Sequence, residues 1–558
     1  MPKFTLDGNE VEFQPGETII EAAKKVGVDI PHFCWHPSLS VSGNCRVCLV
    51  EIEKMPKLAI ACSTIASEGM VVHTQSEKTL SARNAVMEFL LINHPLDCPI
   101  CDEAGECKLQ DYAYDHSKGE SRFTEEKVHK DKRVPLGPNV MFDGERCISC
   151  SRCIRFADEI TKTGELTFVQ RGDRVTIVTF PGKEFDNAYS LNVTDICPVG
   201  ALTNRDFRFK ARVWDMSATK TICSGCARGC NTEMWVRSNE ILRLTPRQND
   251  AVNSYWMCDY GRLETFKQVH STERVNGVYM KREGQDVKVS WDEAYANAAS
   301  ELKHFNKDEI AVIGSAGSTC EDNFMLAKFA KSVLSTKHLD YIPHVIPGSG
   351  DDFLIREDKS PNALGTELAG VQPAAGGLNR DQILEGVKKG TIKALIVVDE
   401  DLAAMSPEME TALAKLDVLI AVSTHHNRTT ALANIIFPSA TYAEKNGTWV
   451  NFQGRIQRIR PAVTTLEADR TLDNLAQSRL DKFGTEFDRW GKSVKLDARP
   501  VWKIFAGLST AFGNKMKYAT AEDVLIDMGK SIDAFKKLDY EKIGEQGVQL
   551  EVSVKVKA

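Results

Sequence analysis

Fifteen of the chain's sixteen cysteines lie before residue 259, and they fall into four groups of regular spacing. Cys34, Cys45, Cys48 and Cys62 are spaced C-x10-C-x2-C-x13-C. Cys98, Cys101 and Cys107, with His94 ahead of them, read H-x3-C-x2-C-x5-C. Cys147, Cys150 and Cys153 form C-x2-C-x2-C, and Cys197 follows 44 residues on. Cys223, Cys226, Cys230 and Cys258 read C-x2-C-x3-C-x27-C. Each group offers four soft or borderline donors, the ligand type that selects iron–sulfur clusters or zinc. Four such sets require four small, loop-rich ligand folds in series. They imply a relay of one-electron centres rather than a single active site.

The rest of the composition narrows the class. At 558 residues the chain is long enough for several domains, each with its own core. The net charge of −7 argues against a nucleic-acid binder, which would carry a basic surface. No window approaches twenty consecutive apolar residues, and Met1-Pro2-Lys3-Phe4-Thr5 has no apolar signal-peptide core. The expectation is a protein of the cytosol, or of the cytosolic side of a membrane assembly. In a reducing compartment clustered cysteines act as metal ligands more often than as disulfides.

The first group follows a recognisable lead-in. Lys3 to Phe13 reads as a hairpin with Asp7-Gly8 at the turn, and Thr18 to Val26 as an amphipathic helix. Hairpin, helix, then ligand loop is the order of a β-grasp ferredoxin, so a [2Fe–2S] cluster is expected; zinc is the competing reading. In the second group three cysteines are one short for a [4Fe–4S] cluster, and His94 is the nearest candidate for the fourth ligand. The alternative makes His94 an ordinary loop residue and sends a remote cysteine to the site. A neutral imidazole in place of a thiolate removes a negative charge and eases reduction, as in Rieske centres. In the third group Cys197 is followed by Pro198, as in bacterial ferredoxin motifs. Every other group already has four ligands, so Cys197 is expected to return to the cluster of Cys147, Cys150 and Cys153.

The fourth group resembles the N-terminal cluster domain of molybdopterin oxidoreductases. Catalytic members of that superfamily carry a lysine after the last cysteine, linking cluster to cofactor. Here Asp259 stands in that place, which argues against electron delivery to molybdenum. After Asp259 the pattern changes. Ile310–Ile313, Ala394–Val398 and Val418–Val422 are apolar strand runs separated by helical patterns, one from Asp322 to Leu334, and they predict a parallel sheet covered on both faces. Beyond about Val463 the pattern is helical and charged, and Val548 to Val556 alternates like a strand. Cys320 reads as a buried structural thiol. Gly314 to Gly317 and Pro347 to Gly350 lack the dinucleotide fingerprint and read as structural loops.

The four groups, in this order and spacing, resemble the large iron–sulfur subunit of bacterial respiratory complex I, NADH:quinone oxidoreductase. The motif match runs from Phe33 to Arg262. The stretch from Ile435 to Arg455 looks like that family's degenerate molybdopterin-oxidoreductase-like domain. The fold implied is multidomain, α+β and α/β. It comprises a β-grasp [2Fe–2S] domain (1–80), a [4Fe–4S] domain ligated by one histidine and three cysteines (81–122) and a ferredoxin-like [4Fe–4S] domain (123–215). A molybdopterin-oxidoreductase-type [4Fe–4S] domain (216–273), a degenerate α/β domain (274–490) and a C-terminal extension (491–558) follow. The cofactors implied are one [2Fe–2S] and three [4Fe–4S] clusters, with no molybdenum cofactor. No flavin or NADH motif is present, so single electrons are expected from an FMN-bearing, NADH-oxidising partner. The route implied enters at the [2Fe–2S] centre, passes to the Cys147 cluster and then to the His94 cluster, with the Cys223 cluster off-path and structural. The implied partners are that flavoprotein, a small [2Fe–2S] subunit, a quinone-side iron–sulfur subunit and, indirectly, the membrane arm. The implied place is peripheral, on the cytoplasmic side of the inner membrane. Competing readings are an electron-transfer subunit of an NAD-linked formate dehydrogenase or hydrogenase, and a zinc-stapled scaffold without redox function.

Overall fold

The computed structural model describes residues 1–117, 119–467 and 495–552. The end of the expected C-terminal strand, beyond residue 552, and part of the helical region after Val463 lie outside the described residues. The chain divides into two compact units, Met1–Trp214 and Asp215–Ala558. Among the described residues no helix is long and apolar enough to cross a membrane.

The first unit begins with the hairpin β1 (Lys3–Leu6) and β2 (Asn9–Glu12), turning through Asp7 (φ 46°) and Gly8 (φ 87°). Both turn residues are left-handed, the geometry that matches the strands' twist and that Asp-Gly tolerates. Helix α1 (Ile19–Lys25) is capped by Thr18, whose N–H donates to Glu21 at 2.9 Å, and it buries Ile19, Ile20, Ala22 and Ala23. Strands β3 (Leu49–Ile52), β4 (Ala59–Ile60) and β5 (Val71–His73) complete a sheet of order β2-β1-β5-β3-β4, with β1 and β5 parallel. Phe4, Leu6, Ile19, Ile20, Trp35, Cys48 and Cys62 share its core. Helices α2 (Glu77–Ile92) and α3 (Lys108–His116) flank the second group. Beyond them come β6 (Val134–Pro135), β7 (Val140–Phe142), the short helix α4 (Arg152–Arg155), the hairpin β8 (Leu166–Val169) and β9 (Thr176–Thr179), helix α5 (Asn192–Ile196) and β10 (Leu202–Asn204). Strand β10 pairs with β7 and closes a three-stranded sheet.

The second unit opens with an antiparallel sheet, β11 (Ser217–Ile222), β12 (Asn231–Arg237) and β13 (Glu240–Pro246), followed by α6 (Asp259–Leu263). The drop in cysteine content after Cys258 suggests the strongest boundary there; the structure divides the chain at Trp214 instead. The reason is packing: Ile222, Met234, Leu244 and Met257 share one core with Tyr442, Trp449, Ile459 and Val463. The larger sheet contains β14 (Val278–Arg282), β15 (Gln285–Val289), β16 (Ile310–Ser315), β17 (His338–Ile342), β18 (Ala394–Val398), β19 (Val418–Ser423) and β20 (Ile435–Pro438), in the order β15-β14-β20-β19-β18-β16-β17. The five strands from β20 to β17 run parallel. Ile310 and Val312 face one core and Ala311 and Ile313 the other, so both faces are covered, as continuous apolar strands require. The helix after β16 runs from Cys320 to Lys328, with Thr319 and Asp322 forming its capping box, and a wider turn from Phe329 to Val333 continues it. It starts two residues earlier than the periodicity suggests, because the Thr319 cap sets its first turn.

Candidate iron–sulfur sites

The first group is built on the β-grasp sheet. Cys34, Cys48 and Cys62 are buried and Cys45 is half-buried. The loop turns through left-handed backbone at Gly43 (φ 64°) and Arg46 (φ 58°). This folds N–H groups inward: Cys34 donates to the Cys45 sulfur at 3.4 Å, and the N–H groups of Cys45 and Asn44 donate to the Cys34 sulfur. The four sulfurs lie within hydrogen-bond reach in a chain, Cys34 to Cys45 and Cys62, and Cys48 to Cys62. Those bonds hold the Cys34 and Cys48 thiols low and push Cys45 and Cys62 up. As thiols the four compete for protons and as thiolates they repel; bound iron removes both conflicts.

The third group lies at the start of α4. Ser149 (φ 55°) and Ser151 (φ 62°) are both left-handed, which wraps Cys147, Cys150 and Cys153 tightly. Ser149 donates its N–H to the Cys147 sulfur at 3.4 Å. Cys197 ends α5. Burial pushes Cys147 up to about 11 and raises Cys153 and Cys197 well above the ordinary thiol value, and the charges of the companion cysteines add to each shift. Cys150 and Cys153 are buried and Cys147 and Cys197 half-buried, close enough for their charges to act on one another.

The second group surrounds a short turn, Cys98–Ile100, and the start of α3. Cys107 is buried, Cys101 half-buried and Cys98 exposed. His94 follows α2, and burial with the charges of Arg146 and Lys127 pushes it down to about 4. It is therefore a neutral imidazole at physiological pH, the form a metal ligand requires. Arg146, which pairs with Asp97 at 2.9 Å, lies within charge range of both His94 and Cys101.

The fourth group occupies the loop between β11 and β12 and the start of α6. Cys223 and Cys230 pair through their backbones at 2.9 Å. Gly225 donates its N–H to the Cys223 sulfur at 3.4 Å, and Gly261 to the Cys258 sulfur at 3.3 Å. A Cβ on Gly261 would stand 3.0 Å from the Cys223 sulfur and 3.3 Å from that of Cys258. The backbone therefore fills the space between two sulfurs where no side chain fits. Burial raises Cys223, Cys230 and Cys258, and the companion thiols add to each. Asp259 is buried as the first residue of α6.

Two sets of contacts, neither visible in the spacing, join the third group to the first and second. Arg152 is 6 % exposed and donates to the carbonyl oxygens of Trp35 at 2.5 Å and Ile196 at 2.8 Å. Arg155 donates to the carbonyl oxygens of Cys34 and Ser40, and to that of Cys150 at 3.4 Å. Asn44 donates to the Ser149 carbonyl at 3.0 Å. On the other side, the Cys107 thiol lies 3.9 Å from the Pro198 carbonyl. A Cβ on Gly200 would stand 2.2 Å from the Cys101 sulfur. The sequence signals that point to these residues are two arginines flanking Cys153 within the ligand run, and a glycine three residues after Cys197.

Among the described residues no three His, Cys, Asp or Glu side chains close around a single metal ion. A cluster divides its four ligands among two or four irons and so spaces them more widely than a single ion does. The close-set thiols, their inward N–H donors and the neutral His94 fit clusters of that kind. Cys320 is wholly buried, its sulfur 3.5 Å from Asn362, in a core with Met325, Val450 and Trp502. Gly314 lacks a side chain for a steric reason: a Cβ there would meet Leu326 and Val371, both at 2.9 Å.

Family models match along the chain in order. Residues 2–77 match a 2Fe-2S iron-sulfur cluster binding domain, and 83–122 match the NADH-ubiquinone oxidoreductase-G iron-sulfur binding region. Residues 137–203 match the ferredoxin-like domain of NADH-quinone oxidoreductase subunit 3. Residues 216–265 match the molybdopterin oxidoreductase Fe4S4 domain, and 274–374 and 369–471 match molybdopterin oxidoreductase. The chain is 40% identical over 346 residues to the G subunit of NADH-quinone oxidoreductase from Rickettsia conorii, covering 61% of this chain and 51% of that one. It is 36% identical over 354 residues to the G subunit from Streptomyces coelicolor, covering 63% of this chain and 42% of that one. It thus spans about half the length of the curated relatives it matches. A solved NAD+-reducing [NiFe]-hydrogenase in the H2-reduced state matches at 32% identity, over 38% of this chain and 91% of that one, with a TM-score of 0.34.

Proposed function

We propose that this chain, a homologue of the G subunit of NADH-quinone oxidoreductase, is the iron–sulfur relay of such an enzyme. The observation that carries the reading is the central position of the third group, whose loops touch both the first and the second. In this reading Cys34, Cys45, Cys48 and Cys62 hold a [2Fe–2S] cluster. His94 with Cys98, Cys101 and Cys107 holds a [4Fe–4S] cluster, as do Cys147, Cys150, Cys153 and Cys197, and Cys223, Cys226, Cys230 and Cys258. When bound, the clusters supply one-electron carriers, with the first, third and second groups as the line and the fourth as a structural centre. The protein's part is to hold the donors in place, to aim backbone N–H groups at the sulfurs and to keep the three sites in contact. Asp259 in place of a lysine supports a second half without molybdenum chemistry.

The partners proposed are an FMN- and NADH-binding flavoprotein, a small [2Fe–2S] subunit and a quinone-side iron–sulfur subunit, with the complex peripheral on the cytoplasmic face of the membrane. Purification of a tagged chain from its host tests this. The expected result is a membrane-associated complex that contains FMN and reduces quinone with NADH. Recovery with a molybdenum-containing formate dehydrogenase or a hydrogenase would overturn it.

A further inference from the structure

Arg152 lies where two of the proposed clusters meet. It is buried, and its hydrogen bonds reach the carbonyls of Trp35, beside Cys34, and Ile196, beside Cys197. Its Nε is buried with no hydrogen-bond partner among the described residues. Neither Arg152 nor Arg155 pairs with a carboxylate among the described residues. The largest favourable influences on the charge of Arg152 come from Cys150, Cys197 and Cys34, as thiolates, which belong to two different groups, and Arg155 opposes them. Burial works against its charge, yet a guanidinium does not give up its proton in a protein. A buried cation without a counter-ion is strongly destabilising, so this one calls for negative charge nearby. Half-buried Arg155, one helical turn on, ties the carbonyls of Cys34 and Cys150 together.

We infer that Arg152 and Arg155 are shared counter-charges for the first- and third-group clusters, holding both at a higher reduction potential and their loops in register. Resting on the ligand assignments proposed above, this adds a role for two residues that bind no iron. Each cluster gains one negative charge on reduction, and a fixed positive charge beside both stabilises the reduced form of each. The unpaired Nε–H remains as a donor for a cluster sulfur.

The test is a potentiometric titration of the full chain, loaded anaerobically with iron and sulfide and followed by electron paramagnetic resonance. Arg152→Gln is expected to shift the first- and third-group signals to more negative potential. Arg155→Gln should shift both by less, and Arg152→Lys should restore most of the loss. The fourth-group signal, in the other unit, is the internal control and should stay put. If Arg152→Gln fails to hold clusters, Arg155→Gln and Arg152→Lys decide. Unmoved potentials in Arg155→Gln, or an Arg152→Lys shift as large as that expected for a neutral side chain, would overturn the inference. So would equal shifts in all four signals. A wild-type chain lacking the first- or third-group signal would instead refute the ligand assignments themselves.

Discussion

Replacing Gly200 by alanine should empty one site and spare the others. Gly200 is not left-handed, so alanine suits its backbone and the effect is steric. The new Cβ would stand 2.2 Å from the Cys101 sulfur and 3.0 Å from the Glu103 Cβ, where ordinary contact begins at 3.4 Å. The sulfur must therefore retreat by about 1.2 Å, whereas a metal–ligand distance tolerates about 0.2 Å. Overpacking alone costs about 1–3 kcal/mol, which a unit of this size survives. The assay is electron paramagnetic resonance of the reduced, loaded chain, with iron and sulfide counted per chain. The second-group signal should vanish and iron should fall by one cluster's worth, while the first- and fourth-group signals persist. Gly200→Ala with an intact second-group signal would refute the contact and, with it, the adjacency of the second and third groups.

Other outcomes follow from the same geometry. Gly261→Ala should weaken the fourth-group signal and lower thermal stability more than it slows transfer from the first group to the second; the reverse pattern in stopped-flow reduction would contradict a structural fourth site. Asp322, which pairs with buried Lys445 at 2.7 Å and accepts the Trp502 N–H at 2.9 Å, should cost about 3–5 kcal/mol in urea unfolding when changed to alanine; a loss under about 1 kcal/mol would show that the pair contributes little. His344 pairs with buried Glu400 at 3.0 Å, and that hydrogen bond raises its pKa above the ordinary histidine value. The folded chain therefore holds the proton more tightly than the unfolded one. The stability this adds is full below about pH 6.5 and fades as pH rises through the folded value. His344→Gln should flatten stability against pH on the alkaline side of about 6.5; an unchanged slope would rule the pair out.

Much of this architecture is legible in residues close together in sequence. The Asp7-Gly8 turn, the Thr18 cap and the CxxC spacings are local, and the β16, β18 and β19 strands announce themselves as apolar runs because parallel strands are buried on both faces. What is not legible depends on contacts across long stretches of chain. Arg152 and Arg155 reach carbonyls 117 and 121 residues away, and nothing in a ligand motif marks its neighbouring arginines for such contacts. Gly200 looks like any glycine after a Cys-Pro pair; its meaning comes from Cys101 lying against it. Cysteine density misplaces the unit boundary because it follows ligand sets, whereas compact units follow shared cores, and Trp449 and Tyr442 tie the fourth group to the second half.

In the proposed reading the chain holds four clusters of two kinds. Mössbauer and electron paramagnetic resonance spectra of the anaerobically loaded full chain test it most directly. One [2Fe–2S] and three [4Fe–4S] centres are expected, with the His94→Ala variant lacking one [4Fe–4S] centre. Zinc in place of iron, or only two paramagnetic centres on full reduction, would contradict it.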